Sequence, residues 1–162
     1  PHIFDKKLID KDLFKKKNWE IYKKEEKNRK SILDGVPKSL SSLIVSQRYQ
    51  DKTGAVGFEW ENSNQAMLKI DEELSELKNA IKNNDIYNIE EEIGDLLITV
   101  VNIARFFNLS AELALKKTNK KFYKRFHFIE KAVSKKNQNI EDLSLKELLI
   151  YWENAKNEEK NN

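Results

Sequence analysis

Two short acidic stretches constrain this chain more than any other part of it. Lys69-Ile70-Asp71-Glu72-Glu73-Leu74-Ser75-Glu76 reads E-E-x-x-E, and Glu90-Glu91-Glu92-Ile93-Gly94-Asp95-Leu96-Leu97 reads E-x-x-D. Each lies in a run with helical apolar spacing. Met67, Ile70, Leu74, Leu77 and Ile81 recur at three and four in the first run, and Ile89, Ile93, Leu96, Val100, Ile103 and Phe107 in the second. At about 100° per residue, Glu73 and Glu76 fall on the flank of the first stripe and Glu92 and Asp95 on the flank of the second. Asn83-Asn84-Asp85 reads as the turn between the two helices. Antiparallel packing of the stripes then brings the flanks together, with Lys69 one turn before Glu73.

Four carboxylates in one place repel unless a cation lies between them. All four are hard oxygen donors, with no His or Cys among them, which suits Mg²⁺ or Mn²⁺ rather than zinc or copper. Mg²⁺ held by few carboxylates completes its shell with water and substrate phosphates. The expectation is a magnesium site that processes a nucleotide. The competing reading is a solvated Glu-rich face with Lys partners at helical spacing. It explains one such motif more easily than two beside core seams, where a carboxylate is costly to place. Asp71, Glu90 and Glu91 read as the solvated remainder of the same runs.

The rest of the chain fits an all-α domain. Its 162 residues suffice for one core, and four Gly and two Pro point to long helices with short connections. Charged residues make up 35% of the chain, yet the net charge is only +3, a mixed surface rather than a nucleic-acid footprint. No nucleic-acid partner is expected. The many Lys and Asn residues read as composition bias. There is no cysteine, and no apolar run approaches a membrane span, so a cytoplasmic location and no membrane partner are the expectations.

Along the chain, a helix is expected from about Lys11 to Lys30, anchored by Phe4, Leu8, Leu13, Phe14, Trp19, Ile21 and Tyr22, with Trp19 and Tyr22 docked. Asp34-Gly35 and Val36-Pro37 mark a break. A second helix is expected from Ser39 to about Thr53, then a loop to Trp60 in which Phe58 and Trp60 read as a core plug, or alternatively as a wall for a base or sugar. The first acidic helix runs from Ser63 to Lys82 and the second from Asp85 to Phe107. Gly94 inside the second costs roughly 1 kcal/mol relative to Ala and points to close approach of a backbone or ligand. Ser110 caps the next helix, to about Val133, with Lys121 and Arg125 one turn apart on one flank. A last helix runs from Leu145 to about Ala155, with Trp152 as core, and the end from Lys156 frays. Three parts are expected: a basic linker or helix over 1–36, a catalytic helical domain over 37–158, and a frayed tail over 159–162. His2 and His127 have no evident partner and read as bystanders.

Several stretches beyond the acidic pair now carry a resemblance: Val36-Pro37-Lys38-Ser39-Leu40, Val56-Gly57-Phe58-Glu59-Trp60, Val101-Asn102-Ile103-Ala104-Arg105 and Asn119-Lys120-Lys121-Phe122-Tyr123-Lys124-Arg125-Phe126. Together the chain resembles the all-α nucleoside triphosphate pyrophosphohydrolases of the MazG-like group, and within it the C-terminal domain of the full-length bacterial proteins. Pro1-His2-Ile3-Phe4 and Trp19-Glu20 resemble the linker before that domain, so a related N-terminal domain is expected to precede this chain.

The resemblance implies Mg²⁺-dependent hydrolysis of NTPs and dNTPs to monophosphate and pyrophosphate, by water attack at the α-phosphorus. It implies Glu73, Glu76, Glu92 and Asp95 as metal ligands and Lys69 and Glu72 at the start of the binding motif. Lys121 and Arg125 would be phosphate contacts, and Trp152 would be a contact at the nucleotide site. Glu72 is the candidate for orienting or deprotonating the water. Where the family can carry a basic residue four positions before the third ligand, this chain has Asn88. The resemblance also implies a homodimer, whose second copy completes the core of the helical bundle. The rivals are a narrower dUTP or dCTP pyrophosphatase and a non-catalytic helical interaction module.

Overall fold

The computed structural model describes the backbone of residues 2–161 and the side chains of residues 14–160. The side chains expected as anchors at Phe4, Leu8 and Leu13, and that of His2, lie outside the described residues. Six α-helices account for most of the chain, and no strand occurs among the described residues: α1 (His2–Glu26), α2 (Ser42–Ala55), α3 (Ser63–Lys82), α4 (Ile86–Phe106), α5 (Ala111–Ser134) and α6 (Leu145–Asn161). Short 3₁₀ turns lie at Ile32–Gly35 and Ile140–Asp142. No single helix among the described residues is long and apolar enough to cross a membrane. The chain divides into two compact units, Pro1–Glu112 and Leu113–Asn162.

The helix ends are written locally. Ser41, Asn62 and Asp85 cap α2, α3 and α4, each side chain accepting from the backbone N–H three residues on. Four helices stop at an asparagine with positive φ: Asn28, Asn84, Asn108 and Asn137. In each case the asparagine N–H donates to the carbonyl three residues back and the next N–H reaches the carbonyl five residues back, as with Asn84 to Ile81 and Asp85 to Ala80. This is a left-handed C-terminal cap with Asn where Gly is usual. Some of the asparagine content is therefore architectural, which corrects the reading of it as composition bias. Among the described residues α2 ends on a glycine of that kind, Gly57 at φ +94.

In the first unit α4 is central, packing against both α3 and α2, while α1 lies against α2 and the first 3₁₀ turn. Side-chain amides from α2 fasten this unit. Gln47 donates to the Leu109 carbonyl at 2.9 Å and accepts from the Ala111 N–H at 3.0 Å, and Gln50 donates to the Ile98 carbonyl at 2.9 Å. The α1 contact centres on Lys52 and Glu20, 2.5 Å apart. Trp19 and Tyr22 stay more than half exposed. The expected docking of those rings is thus replaced by an ion pair, with Lys23 over the Trp19 ring.

The α3–α4 seam differs by one register step from the expected stripe. Ala66, Glu73 and Ala80 are the buried residues of α3, and Thr99 and Val101 those of α4. Met67, Leu74, Ile81, Ile93 and Val100 remain exposed. Two small alanines let the helices approach, and Glu73, placed on the flank by sequence, lies in the packed face. The second unit carries α6 to Asn161, beyond the end expected at Ala155. Ile129, Val133 and Ala155 are buried there.

Candidate metal and nucleotide site

The acidic site is built on the α3–α4 hairpin. Glu73 is 4% exposed and ion-paired to Lys69 at 2.6 Å. Lys69 also donates to Glu72 at 2.8 Å. These bonds, Glu72 first and Glu73 next, hold the Lys69 ammonium firmly protonated. One lysine does not satisfy the cluster: Glu73 Oε2 and Glu92 Oε2 are both buried without a hydrogen-bond partner. Burial pushes the Glu92 carboxyl above its usual range, and the nearby charges of Glu76, Glu73, Asp95 and Glu91 push it further.

Glu72, Glu73 and Glu76 offer ligand oxygens within 4.8 Å of one another, and so do Glu73, Glu92 and Asp95. Glu73 is common to both groups, so the buried carboxylate links an α3 set to a set that spans both helices. Each set is all-oxygen; the first holds one of the two unpartnered oxygens and the second holds both, which fits a hard divalent cation. All four expected ligands are therefore brought together, with Lys69 and Glu72 at the rim. Gly94, between Glu92 and Asp95, has nothing within 4 Å of where a Cβ would stand. The expected close approach of a neighbouring backbone does not occur among the described residues, and the helix surface there is open.

Lys121, Arg125 and Trp152 belong to the second unit. Arg125 donates to Glu159 from Nε at 3.1 Å and from its terminal nitrogen at 2.8 Å. Its guanidinium lies 5.6 Å from the Trp152 ring centroid, and Phe122 tilts against the same ring at 5.2 Å. Arg125 draws the Glu159 carboxyl below its usual range, with Lys121 and Lys124 adding to the effect. Trp152 is half-buried in this cation–aromatic stack.

A further group includes Phe58 and Trp60, for which sequence offers a wall for a base or sugar as the alternative to a core plug, and residues that sequence does not single out. Phe58 is 79% exposed and Trp60 40%. They line a cavity rather than plugging the core, together with Gln50, Thr53, Asn102 and Arg105. Arg105 pairs with Glu59. Gly54 makes room for this pair, since a Cβ there would meet Glu59 Oε2 at 2.7 Å. The available signal was the polar break at Asn102 and Arg105 in the otherwise apolar second half of α4.

Comparison with known proteins gives similarities over the acidic helices and over most of the chain. The family model described as "MazG nucleotide pyrophosphohydrolase domain" matches residues 61–128. That span contains the four clustered carboxylates Glu73, Glu76, Glu92 and Asp95 together with Lys69, Glu72, Lys121 and Arg125, but neither Trp152 nor Gln50. The chain is 37% identical over 158 residues to the nucleoside triphosphate pyrophosphohydrolase/pyrophosphatase MazG of Thermotoga maritima, covering 96% of this chain and 59% of that protein. It is 33% identical over 164 residues to the nucleoside triphosphate pyrophosphohydrolase of Escherichia coli K12, covering 98% of this chain and 62% of that protein. A similar match, 35% over 163 residues, covers 99% of this chain and 33% of the Bacillus subtilis protein YabN. The chain thus spans less than two thirds of these relatives.

Proposed function

From the match of residues 61–128 to the MazG nucleotide pyrophosphohydrolase domain model, we propose that the chain hydrolyses nucleoside triphosphates to a monophosphate and pyrophosphate. The observation that carries the reading is the pair of buried, unpartnered oxygens on Glu73 and Glu92. A carboxylate cluster left in that state has the charge and the free lone pairs to bind a divalent cation. Glu73, Glu76, Glu92 and Asp95 would hold Mg²⁺ or Mn²⁺, which supplies charge neutralisation of the phosphates and acidifies a bound water.

The chain's own groups then have distinct tasks. Glu72 orients the water and accepts its proton. The water oxygen bonds to the α-phosphorus, and the bond to the α–β bridging oxygen breaks. Pyrophosphate leaves with the negative charge, which Lys69, Lys121 and Arg125 stabilise as it builds. Arg125 exchanges Glu159 for phosphate in this step, and Trp152 contacts the nucleotide. The substrate range proposed is broad, over NTPs and dNTPs. The exposed apolar residues Met67, Leu74, Ile81, Ile93 and Val100 support a homodimer in which a second copy covers them.

The test is incubation with each NTP and dNTP plus Mg²⁺, with the phosphorus products identified. Pyrophosphate and monophosphate are expected, with loss of both in Glu73→Gln and Asp95→Asn. Orthophosphate release, or near-normal turnover in both variants, sinks the reading. Activity on dUTP or dCTP alone replaces it with the narrower pyrophosphatase.

A further inference from the structure

The ammonium of Lys69 is spent on two carboxylates. It donates to Glu72 at 2.8 Å and pairs with Glu73 at 2.6 Å. The proposed reaction asks something else of both ends of this clasp. Lys69 is to stabilise charge on the phosphates, and Glu72 is to accept a proton from water. An ammonium held between two carboxylates has little charge to lend to a third anion. A carboxylate that accepts from an ammonium is in turn a weakened base. The two groups cannot take up those tasks until the clasp opens.

The two bonds are unequal. Glu73 is 4% exposed, and its Oε2 is buried without a partner. Lys69 is the counter-charge of a carboxylate that has almost no water around it, and loss of such a partner alone is costly. The Glu72 side chain is 56% exposed, and an ion pair on that surface contributes little by itself. Lys69 is therefore held by Glu73 and only accompanied by Glu72. Glu73 is also common to both ligand groups, the one with Glu72 and Glu76 and the one with Glu92 and Asp95. The group that fixes Lys69 is thus the group a divalent cation has to take. Two cations on one carboxylate repel, and the flexible four-carbon stem of a lysine lets its head swing away. The Lys69 side chain, 31% exposed, has an open side to swing towards. We propose that Lys69 neutralises Glu73 until that carboxylate passes to a divalent cation, and that its release delivers the ammonium to phosphate and uncovers Glu72 as the base. The inference rests on the proposed reaction for the tasks of Lys69 and Glu72, and it adds an order, cation first and phosphates second. By reciprocity, a phosphate that takes Lys69 strengthens cation binding.

Two measurements on the whole chain need no turnover. In the first, lysine ammonium resonances are followed by NMR as Mg²⁺ is added to chelator-treated protein, and Lys69→Met identifies the Lys69 signal. That signal is expected to move, in step with Mg²⁺ binding, from its paired position to that of a solvated lysine. It should move again with α,β-methylene-ATP only when Mg²⁺ is present. In Glu73→Gln it should stand at the solvated position before any Mg²⁺ is added. In the second, calorimetry gives the Mg²⁺ affinity. Lys69→Met has no ammonium to clear and should bind Mg²⁺ at least fivefold more tightly than the parent, with circular dichroism reporting the fold. A Lys69 signal unmoved at saturating Mg²⁺, or still paired in Glu73→Gln, overturns the inference. So does an Mg²⁺ affinity unchanged or weakened in Lys69→Met. An equal response to α,β-methylene-ATP without Mg²⁺ overturns the order. Failure of the reaction reads differently: no pyrophosphate from any triphosphate, while Mg²⁺ still releases Lys69. Absence of any Mg²⁺ or Mn²⁺ binding removes the cation site, and the inference with it.

Discussion

The α3–α4 and α5–α6 pairs use the same ingredients to opposite electrostatic ends. On α3 and α4, like charges crowd: Glu76, Glu92 and Asp95 stand near Glu73, which Lys69 pairs with, and the Glu92 carboxyl is pushed up. On α5 and α6, opposite charges meet: Arg125 grips Glu159 through two nitrogens, and the Glu159 carboxyl is drawn down. The first pair leaves two carboxylate oxygens buried without a partner, whereas in the second the Arg125 guanidinium is already held by Glu159.

The sharpest way to break this contrast is to remove a charge from the crowded pair. Glu73→Gln should lower kcat/KM on the order of 10³-fold, about 4 kcal/mol, while circular dichroism still reports a folded helical protein. Activity within tenfold of the parent would show that Glu73 is merely structural. Next comes ion binding itself. Mg²⁺ at a hundredfold over its Kd should stabilise the fold by about 2.7 kcal/mol, raising Tm by roughly 5–10 °C. Glu73→Gln should abolish that shift, and calorimetry with and without chelator checks it. On the satisfied pair, Arg125→Ala should raise KM for a triphosphate about tenfold, roughly 1.4 kcal/mol, with kcat changed less. A KM unaltered in steady-state kinetics would confine Arg125 to structure.

The smallest effect is a difference of sign with pH. Glu92 starts from 4.5 in the unfolded chain and is raised in the folded one. Its contribution to ion-free stability is complete below 4.5 and is lost as pH rises through the raised value. Glu159 starts from the same 4.5 and is lowered. Its contribution is present above 4.5 and is lost as pH falls through the lowered value. Carbon-detected NMR of the side-chain carboxyls in ion-free protein should therefore show Glu159 titrating before Glu92 as pH is raised. Added Mg²⁺ should pull Glu92 down and leave Glu159 in place.

The six-helix layout and the convergence of Glu73, Glu76, Glu92 and Asp95 were legible in sequence because both follow from helical spacing and a short turn. The register of the α3–α4 seam was not. Apolar periodicity marks every face that avoids water, and it does not say which face packs within the chain. The buried face runs instead through Ala66, Glu73 and Ala80, residues that a hydropathy stripe passes over. Trp19 misled for a related reason: a ring can lie along its own helix under Lys23 without docking. The partners of Gln50 and Arg105 come from segments about fifty residues away, and no local pattern announces such a pairing.

The asparagine caps carry a consequence for ageing. Asparagine amides are among the thermolabile groups of proteins, and hydrolysis of one leaves an aspartate. At Asn28, Asn84, Asn108 and Asn137 that new negative charge would appear where a helix presents its bare carbonyls. The helix dipole disfavours an anion there by about 0.3–1 kcal/mol. Warm storage would therefore wear this protein from the ends of its helices inward, one unfavourable charge at a time, while its packed seams were still intact. At Asn84 the added charge would sit in the turn that joins the two helices of the acidic site.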